Sequence, residues 1–215
     1  MPQLLIPIVA VASYLLGSIP FGYILVRIFR GEDVRQSGSG NIGATNVSRK
    51  SPALGLLTLL LDALKGTCAV LLAKEVFALT ARSSFDSRLY PMMSLAAISA
   101  ILGHMFPVWL RFRGGKGVAT AVGAFALIVP SATLGAFAIF VVVMIASRYV
   151  SLASTTAAVV LPIFAWFSLR HRDSEGIFTL ASIVIASTLV IVKHRENIRR
   201  LLAGTENRFG GRGAI

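Results

Sequence analysis

Residues 176–193 read GIFTLASIVIASTLVIVK, and no charged side chain precedes the terminal Lys193. Such a stretch is typical of a helix that crosses a bilayer, because about 20 apolar residues span the hydrocarbon layer. Lipid leaves irregular backbone without hydrogen-bond partners, so the sequence predicts an all-α, polytopic integral membrane protein. We place seven transmembrane helices at 4–28, 53–80, 90–110, 117–129, 132–147, 150–169 and 176–193.

Composition favours the same class. Of the 215 residues, 55% are hydrophobic and 14% are charged, and the mean hydropathy is +0.77. No soluble region stands apart, so we predict a single membrane-embedded domain over residues 1–215. The first apolar run is too long for a signal peptide and is interpreted as a retained span. The single Cys68 excludes an intramolecular disulfide and a cysteine-cluster metal site.

The distribution of positive charge predicts the orientation in the membrane. The formal net charge is +12, and with seven spans 15 of the 21 Lys and Arg residues share the side of the first loop. Cytoplasmic loops are enriched in Lys and Arg, so we expect the N-terminus outside and the C-terminus in the cytoplasm. One kinked helix over 117–147 would nearly remove this bias. Charge gathered beside apolar spans favours membrane lipids as partners and argues against nucleic acid.

The first loop carries a glycine-rich segment, GSGNIGATN, at residues 38–46. Glycines let successive backbone N–H groups face one point, and the polar side chains add donors, which suits a phosphate or carboxylate. A flexible connector is the alternative. Arg49 follows as a candidate anion ligand, whereas Lys50 fits an interfacial anchor better. The candidate binding residues here are Ser39, Gly40, Asn41, Gly43, Thr45, Asn46 and Arg49.

A second glycine-rich loop, residues 114–117, places Lys116 directly before the fourth span. Its ammonium and the N-terminal N–H groups of that helix could face the same phosphate. A headgroup anchor is the alternative, and it is the preferred interpretation for Arg111 and Arg113. The loop lacks the spacing of a Walker motif, so nucleotide hydrolysis is not supported.

Further polar residues lie at or near helix ends. His194 and Asn197 are three residues apart after the last span, so they share a helix face that could bind a polar substrate or simply face solvent. Ser151 could cap the sixth span or reach the site. Asp62 and Lys65 have the spacing of an intrahelical ion pair, and we assign them to helix packing because they lie far from the loops. We expect His104 to be structural, capping the turn at residue 107.

Together these motifs resemble the bacterial acyl-phosphate:glycerol-3-phosphate acyltransferases, the PlsY family. The resemblance rests on residues 38–49, 103–120 and 194–198, with 62–66 and 148–154 also similar. It implies transfer of a fatty acyl group from acyl-phosphate to the sn-1 hydroxyl of glycerol-3-phosphate, giving lysophosphatidic acid and phosphate without a cofactor or metal. It also implies a bacterial inner membrane with the site facing the cytoplasm.

By matching positions, the resemblance assigns phosphate and hydroxyl recognition to residues 39–43 and four side chains, with Ser151 as a weaker member. The four are Arg49, Lys116, His194 and Asn197. Of these, Lys116, His194 and Asn197 are the predicted catalytic residues. An acyl-phosphate is an activated mixed anhydride, so orientation and charge neutralisation suffice without an acyl-enzyme. The general base is either His194 or a substrate phosphate oxygen.

The alternatives are an acyl-CoA-type acyltransferase and an organophosphate transporter. The H-x4-D signature of acyl-CoA-type acyltransferases is absent, because none of the three histidines has Asp five residues later. A transporter for small organophosphates would also use basic residues and glycine-rich helix breaks. It predicts polar residues near the membrane midplane and access from both sides, whereas the polar cluster here is one-sided and favours an enzyme.

Overall fold

The computed structural model describes residues 4–80, 88–170 and 174–210, and these residues form helices and loops without a β-strand. The predicted all-α class is confirmed. Short 3-10 helices at Val34–Gln36 and Val108–Leu110 lie in the two glycine-containing connections. The α-helices are α1 (Leu5–Gly17), α2 (Phe21–Arg30), α3 (Ala44–Val47), α4 (Pro52–Thr80), α5 (Leu89–Met105), α6 (Val118–Ile128), α7 (Pro130–Ser147), α8 (Val150–Leu169), α9 (Ser174–Lys193) and α10 (Arg195–Leu202).

Six helical stretches in the described residues are long and apolar enough to cross a membrane. The seventh predicted span corresponds to α6, which has 11 residues. Its length of about 16 Å is roughly half the hydrocarbon thickness, so a count of seven spans and the orientation of the chain remain predictions. The six stretches are Leu5–Arg30, Pro52–Leu79, Leu89–Leu110, Pro130–Ser147, Val150–Leu169 and Glu175–Lys193.

The first span is broken, which the sequence prediction of one helix over 4–28 did not include. Helix α1 ends at Gly17 and α2 begins at Phe21. Proline at position 20 has no N–H to donate and its ring crowds the carbonyl four residues earlier, which favours a kink or a break in the helix. At the break, the carbonyl of Ile19 accepts from the Phe21 N–H at 3.1 Å and from the ammonium of Lys65 at 2.8 Å.

The chain forms two compact units, which divide between Ile128 and Val129. In the first unit, α4 packs against α1, α2, α3, α5 and α6, and α1 also packs against α5. Close approach of α4 and α6 depends on glycine, because a Cβ at Gly123 would overlap the backbone of Ala63. In the second unit, α8 packs against α7, α9 and α10.

A small apolar cluster supports the glycine-rich loop of the first unit. Val34 and Val47 are fully buried, and Ile42 lies between the loop glycines with an exposed fraction of 3%. They pack with Val26 of α2 and Leu110. Burial of an aliphatic side chain contributes about 1.5–3 kcal/mol, so these anchors hold an otherwise polar loop against the helices.

Candidate active site

The buried side chain of Asn46 holds the glycine-rich loop together. Its Nδ2 lies within hydrogen-bond distance of three carbonyl oxygens, which share its two N–H groups: those of Val34 at 3.0 Å, Ser37 at 3.0 Å and Asn41 at 2.9 Å. Its Oδ1 accepts from the backbone N–H of Ser39 at 2.9 Å. One amide therefore fixes both sides of the loop. Asn46 thus fixes the loop backbone, and its contact with substrate remains a prediction.

Two loop positions require glycine. Gly38 and Gly40 have φ angles of +60° and +68°, in the left-handed region that side chains disfavour. A Cβ at Gly38 would also overlap Oδ1 of Asn46. The Oδ1 of Asn41 accepts from the N–H of Gly43 at 2.8 Å and stabilises the second half of the loop. The loop path thus follows from its sequence.

The loop presents uncommitted donors to its surroundings. In the part of the chain that the structure describes, Ser39 and Thr45 hydroxyls and the Arg49 guanidinium are exposed and have no hydrogen-bond or ion-pair partner. The adjacent Lys50 differs, because its Nζ binds Glu32 at 2.8 Å. That hydrogen bond holds the pKa of Glu32 below its usual value. Lys50 is thus neutralised by Glu32, and the binding of an anion by Arg49 remains a prediction.

The predicted headgroup ligands Arg111 and Arg113 line a depression of about 910 Å³ with Arg35 and Trp109. Arg35 is already committed, since its Nη2 binds Asp33 at 2.6 Å. The hydrogen bond from Arg35 holds the pKa of Asp33 below its usual value. Guanidinium groups beside apolar walls suit the headgroup of an anionic lipid. This depression does not include the glycine-rich loop residues or Lys116.

Lys116 lies in a loop that is fixed to the end of α5. The N–H of Gly115 donates to the carbonyl of His104 at 3.0 Å. Gly117 has a φ of +82°, again a conformation that requires glycine, and α6 begins at the next residue. Lys116 therefore stands beside the N-terminus of α6, where helix N–H groups favour an anion.

A buried ionic group lies beneath this second loop. Asp62 Oδ1 binds Lys65 Nζ at 2.7 Å, so the predicted intrahelical pair is present. His104 Nδ1 lies 3.5 Å from the same carboxylate oxygen. The expectation that the pair lies far from the loops is therefore wrong, because a single residue, His104, contacts both the pair and the loop. The ring of His104 lies beside Asp62, and its expected capping of the turn at residue 107 remains a prediction.

Glu206 organises the polar residues of the second unit. Its Oε1 accepts from Ser151 Oγ at 2.8 Å and from Asn197 Nδ2 at 2.6 Å. Its Oε2 accepts from Arg200 Nε at 2.7 Å. Burial raises the pKa of Glu206, but the three hydrogen bonds outweigh it and the pKa lies below its usual value. Ser151 and Asn197, two predicted site residues, are thus joined by one carboxylate.

The environment of His194 fixes one tautomer of its ring. His194 is buried, and its Nδ1 lies 2.8 Å from the carbonyl of Val190. A carbonyl can only accept, so Nδ1 carries the proton and Nε2 carries the lone pair in the neutral ring. This is the nitrogen through which His194 could accept a proton from a hydroxyl group.

Sequence reasoning missed Glu206 because it lies beyond the last predicted span. The segment after α10 returns to the start of α8: Arg208 Nε donates to the Tyr149 hydroxyl at 3.1 Å, and the Phe209 N–H donates to the Arg148 carbonyl at 2.7 Å. One signal was available. Glu206 is the only acidic residue after residue 196, in a segment rich in arginine. A lone carboxylate there needs a reason, and the structure provides it.

The predicted site residues divide between the two compact units. Within the first unit, the loop residues share one hydrogen-bonded turn and Lys116 occupies the other loop. Within the second unit, Ser151 and Asn197 meet at Glu206. The first group is Ser39, Gly40, Asn41, Gly43, Thr45, Asn46, Arg49 and Lys116, and the second is Ser151, His194 and Asn197.

The sequence profile of a family described as glycerol-3-phosphate acyltransferase matches residues 7–204. The chain belongs to this family. Similar proteins of the same name occur in Syntrophotalea carbinolica, with 46% identity over 94% of this chain and 96% of the relative. One from Thermosynechococcus vestitus has 45% identity over 94% of each chain. One from Agrobacterium fabrum has 44% identity over 97% of this chain and 94% of the relative.

Solved structures of the family support the same assignment. The fold is similar to that of PlsY, described as an integral membrane glycerol 3-phosphate acyltransferase, in its glycerol 3-phosphate form. The TM-score is 0.83 at 37% identity, covering 95% of this chain and 96% of that one. A lysophosphatidic acid form of PlsY matches with a TM-score of 0.80 at 36% identity over 95% of each chain. The predicted resemblance to the PlsY family is confirmed.

Proposed function

We propose that this protein transfers a fatty acyl group from an acyl-phosphate to the sn-1 hydroxyl of glycerol-3-phosphate. The observation that carries the proposal is the family match over residues 7–204, together with relatives of that name that align along nearly their whole length. PlsY in forms with glycerol 3-phosphate and with lysophosphatidic acid supports the same acceptor and product here. The proposal treats residues 1–215 as one acyltransferase domain.

The reaction joins the acceptor oxygen to the acyl carbonyl carbon. The bond between that carbon and the phosphate oxygen breaks, inorganic phosphate leaves, and the hydroxyl proton passes to a base. His194 Nε2 is the candidate base because Nδ1 is committed to the Val190 carbonyl. A phosphate oxygen of the substrate is the alternative base. Because the donor is already activated, no covalent acyl-enzyme is required.

Cationic and N–H donors supply the recognition of phosphate. Arg49 has no counter-ion in the described part of the chain, and exposed donors of Ser39 and Thr45 lie in the same loop. Lys116 lies beside the N-terminus of α6. Such groups neutralise an anion best when they are held in place before it binds, and the Asn46 hydrogen bonds hold this loop. We assign substrate phosphate groups to these residues and positioning of the hydroxyl to Asn197 and Ser151.

The proposed location is a bacterial inner membrane, with both glycine-rich loops facing the cytoplasm. A water-soluble, doubly charged acceptor would then meet the basic side of the protein, while the acyl chain of the donor stays in the lipid. Membrane lipids are accordingly direct partners. Substituted cysteines at exposed loop positions, such as Thr45→Cys, should react with impermeant reagents from the cytoplasmic side only.

The test is lysophosphatidic acid formation by the purified protein in lipid vesicles. Glycerol-3-phosphate is offered with either acyl-phosphate or acyl-CoA, and Lys116→Ala and Lys50→Ala serve as the variant pair. Product from acyl-phosphate alone, lost in Lys116→Ala and retained in Lys50→Ala, is the expected result. Product from acyl-CoA alone would overturn the donor assignment, and no product from either donor would overturn the proposed function.

A further inference from the structure

The second loop is built on a buried ionic group that has no direct role in the proposed chemistry. The side chains of Asp62 and Lys65 are 4% and 1% exposed, within a helix long enough to span the membrane. Charges at such a position are costly unless they are paired, and they are retained where they perform a task. Helix packing alone is served by apolar side chains at lower cost.

Each charge of the pair contacts a second element. Lys65 Nζ donates to the carbonyl of Ile19, at the break between α1 and α2, and lies 5.6 Å from the centre of the Phe21 ring. Asp62 Oδ1 lies 3.5 Å from Nδ1 of His104 in α5. The pair thus ties α4 to the helix break on one side and to a single imidazole on the other.

His104 connects this group to the Lys116 loop in two ways. Its carbonyl accepts the N–H of Gly115 at 3.0 Å. Its imidazole lies directly against the same residue, because a Cβ built on Gly115 would overlap Nε2 of the ring. Such an overlap is easily relieved when the facing side chain can rotate away. The imidazole faces Asp62 with its other nitrogen, so rotation would break that contact.

We propose that Asp62, Lys65 and His104 are positioning residues that set the location of the Lys116 loop. Asp62 orients the imidazole, Lys65 holds Asp62 as a carboxylate acceptor, and the imidazole sets the height of Gly115 above α5. Lys116 is the next residue, and α6 begins two residues later. The inference rests on the proposed function for its kinetic readout. A displacement of about 1 Å at such a site can reduce turnover about 100-fold, so a rigid support is worth its cost.

Two neighbouring glycines provide a matched test. The three atoms nearest to a Cβ at Gly115 all belong to the His104 ring, whereas a Cβ at Gly114 would overlap the His104 carbonyl and the ring of Pro107. Gly115→Ala is expected to raise KM for glycerol-3-phosphate about 10-fold or more in the natural protein. In a His104→Ala background that penalty should fall to about threefold or less, since the overlap is gone. The penalty of Gly114→Ala should be the same in both backgrounds.

Equal penalties of Gly115→Ala with and without the imidazole would overturn the proposal. If His104→Ala does not fold, the double variant Asp62→Asn/Lys65→Met serves instead, because it removes both buried charges while leaving an imidazole free to turn. The same relief of the Gly115→Ala penalty is expected in it. Relief that appears in thermal unfolding midpoints but not in KM would also overturn positioning of the loop.

A third control separates this proposal from general loosening of the helices. Thr67 Oγ1 donates to the carbonyl of Gly123 at 2.9 Å and joins α4 to α6. Thr67→Val should lower the unfolding midpoint and leave KM for glycerol-3-phosphate unchanged. An inactive natural protein would count against the proposed function alone. The effect of Gly115→Ala on the unfolding midpoint can still be compared with and without the His104 imidazole, because that comparison does not require turnover. In an active protein, a Gly115→Ala penalty that is the same with and without the imidazole counts against the positioning proposal alone.

Discussion

Replacement of Glu206 by alanine is expected to release the C-terminal segment and abolish turnover. The Glu206 side chain is 7% exposed and accepts hydrogen bonds from Ser151, Asn197 and Arg200. A hydrogen bond to a charged group contributes about 1.5–3 kcal/mol. The Arg200 side chain is 38% exposed, so solvent limits its ion pair to about 1 kcal/mol. The two buried donors and this pair together predict a loss of about 4–7 kcal/mol in local stability.

Glu206→Gln keeps an acceptor for Ser151 and Asn197 but removes the negative charge, so it separates the shape of the Glu206 side chain from its charge. The amide oxygen can still accept from Ser151 and Asn197, whereas the amide NH2 group faces the Arg200 guanidinium and cannot accept from it. Both remaining hydrogen bonds fall from charge-assisted to neutral strength, a loss of about 1 kcal/mol each. With the lost ion pair the expected total is about 3 kcal/mol. Arg200→Gln removes the same ion pair from the other side and is the matched control.

Limited proteolysis measures this local stability. Trypsin cleavage after Arg208, followed by mass spectrometry, reports how often the segment opens when opening is fast relative to cleavage. Glu206→Ala should be cleaved about 1,000-fold faster or more, up to the rate of a free segment. Glu206→Gln should be cleaved about 100-fold faster, and Arg200→Gln, which loses only the ion pair, about fivefold faster. Resistance of Glu206→Ala equal to that of the natural protein would refute this reasoning, as would equal sensitivity of the alanine and glutamine variants.

Three further outcomes are expected. Arg49→Ala should raise KM for glycerol-3-phosphate about 10- to 100-fold. Lys50→Ala should change KM less than about threefold, because the Lys50 ammonium is already neutralised by Glu32. Equal KM values of the two variants in steady-state kinetics would contradict the assignment. Asn46→Ala removes two N–H donors and one acceptor and should destabilise the loop by about 3 kcal/mol, against about 1 kcal/mol for Asn41→Ala. Thermal unfolding measures both losses, and a smaller loss for Asn46→Ala than for Asn41→Ala would contradict this assignment. Because the pKa of Glu206 is lowered in the folded protein, the stabilisation by Glu206 is present above the ordinary glutamate pKa of about 4.3 and is lost as the pH falls through the folded value. Hydrogen exchange of residues 206–210 should therefore show opening below about pH 4. This pH dependence should be absent in Glu206→Gln, whose side chain does not ionise.

Much of the architecture follows from local sequence patterns. Long apolar runs predict membrane-spanning helices, and the spacing of Asp62 and Lys65 predicts their ion pair, because both depend only on residues close together in the chain. The break at Pro20 was also encoded locally and was overlooked, since hydropathy alone does not register a missing N–H.

The missed features depend on contacts between distant segments. Asn46 was selected for its polar side chain, but its role as the centre of the loop depends on carbonyl groups 5 to 12 residues away. Glu206 reaches Ser151 across 55 residues. His104 meets Asp62 only because α5 packs against α4. Spacing rules for one helix cannot supply such pairs, so the partners of the predicted site residues could not be found from the sequence.

The most direct test of the proposed acyl transfer is the stoichiometry of the products. Purified protein in lipid vesicles is given acyl-phosphate and glycerol-3-phosphate, and lysophosphatidic acid and inorganic phosphate are measured in the same sample. The account predicts one phosphate released for each lysophosphatidic acid formed, with both lost in Lys116→Ala. Phosphate release without lysophosphatidic acid would indicate a hydrolase, and uptake of glycerol-3-phosphate into the vesicles without either product would indicate a transporter; each result would contradict the account.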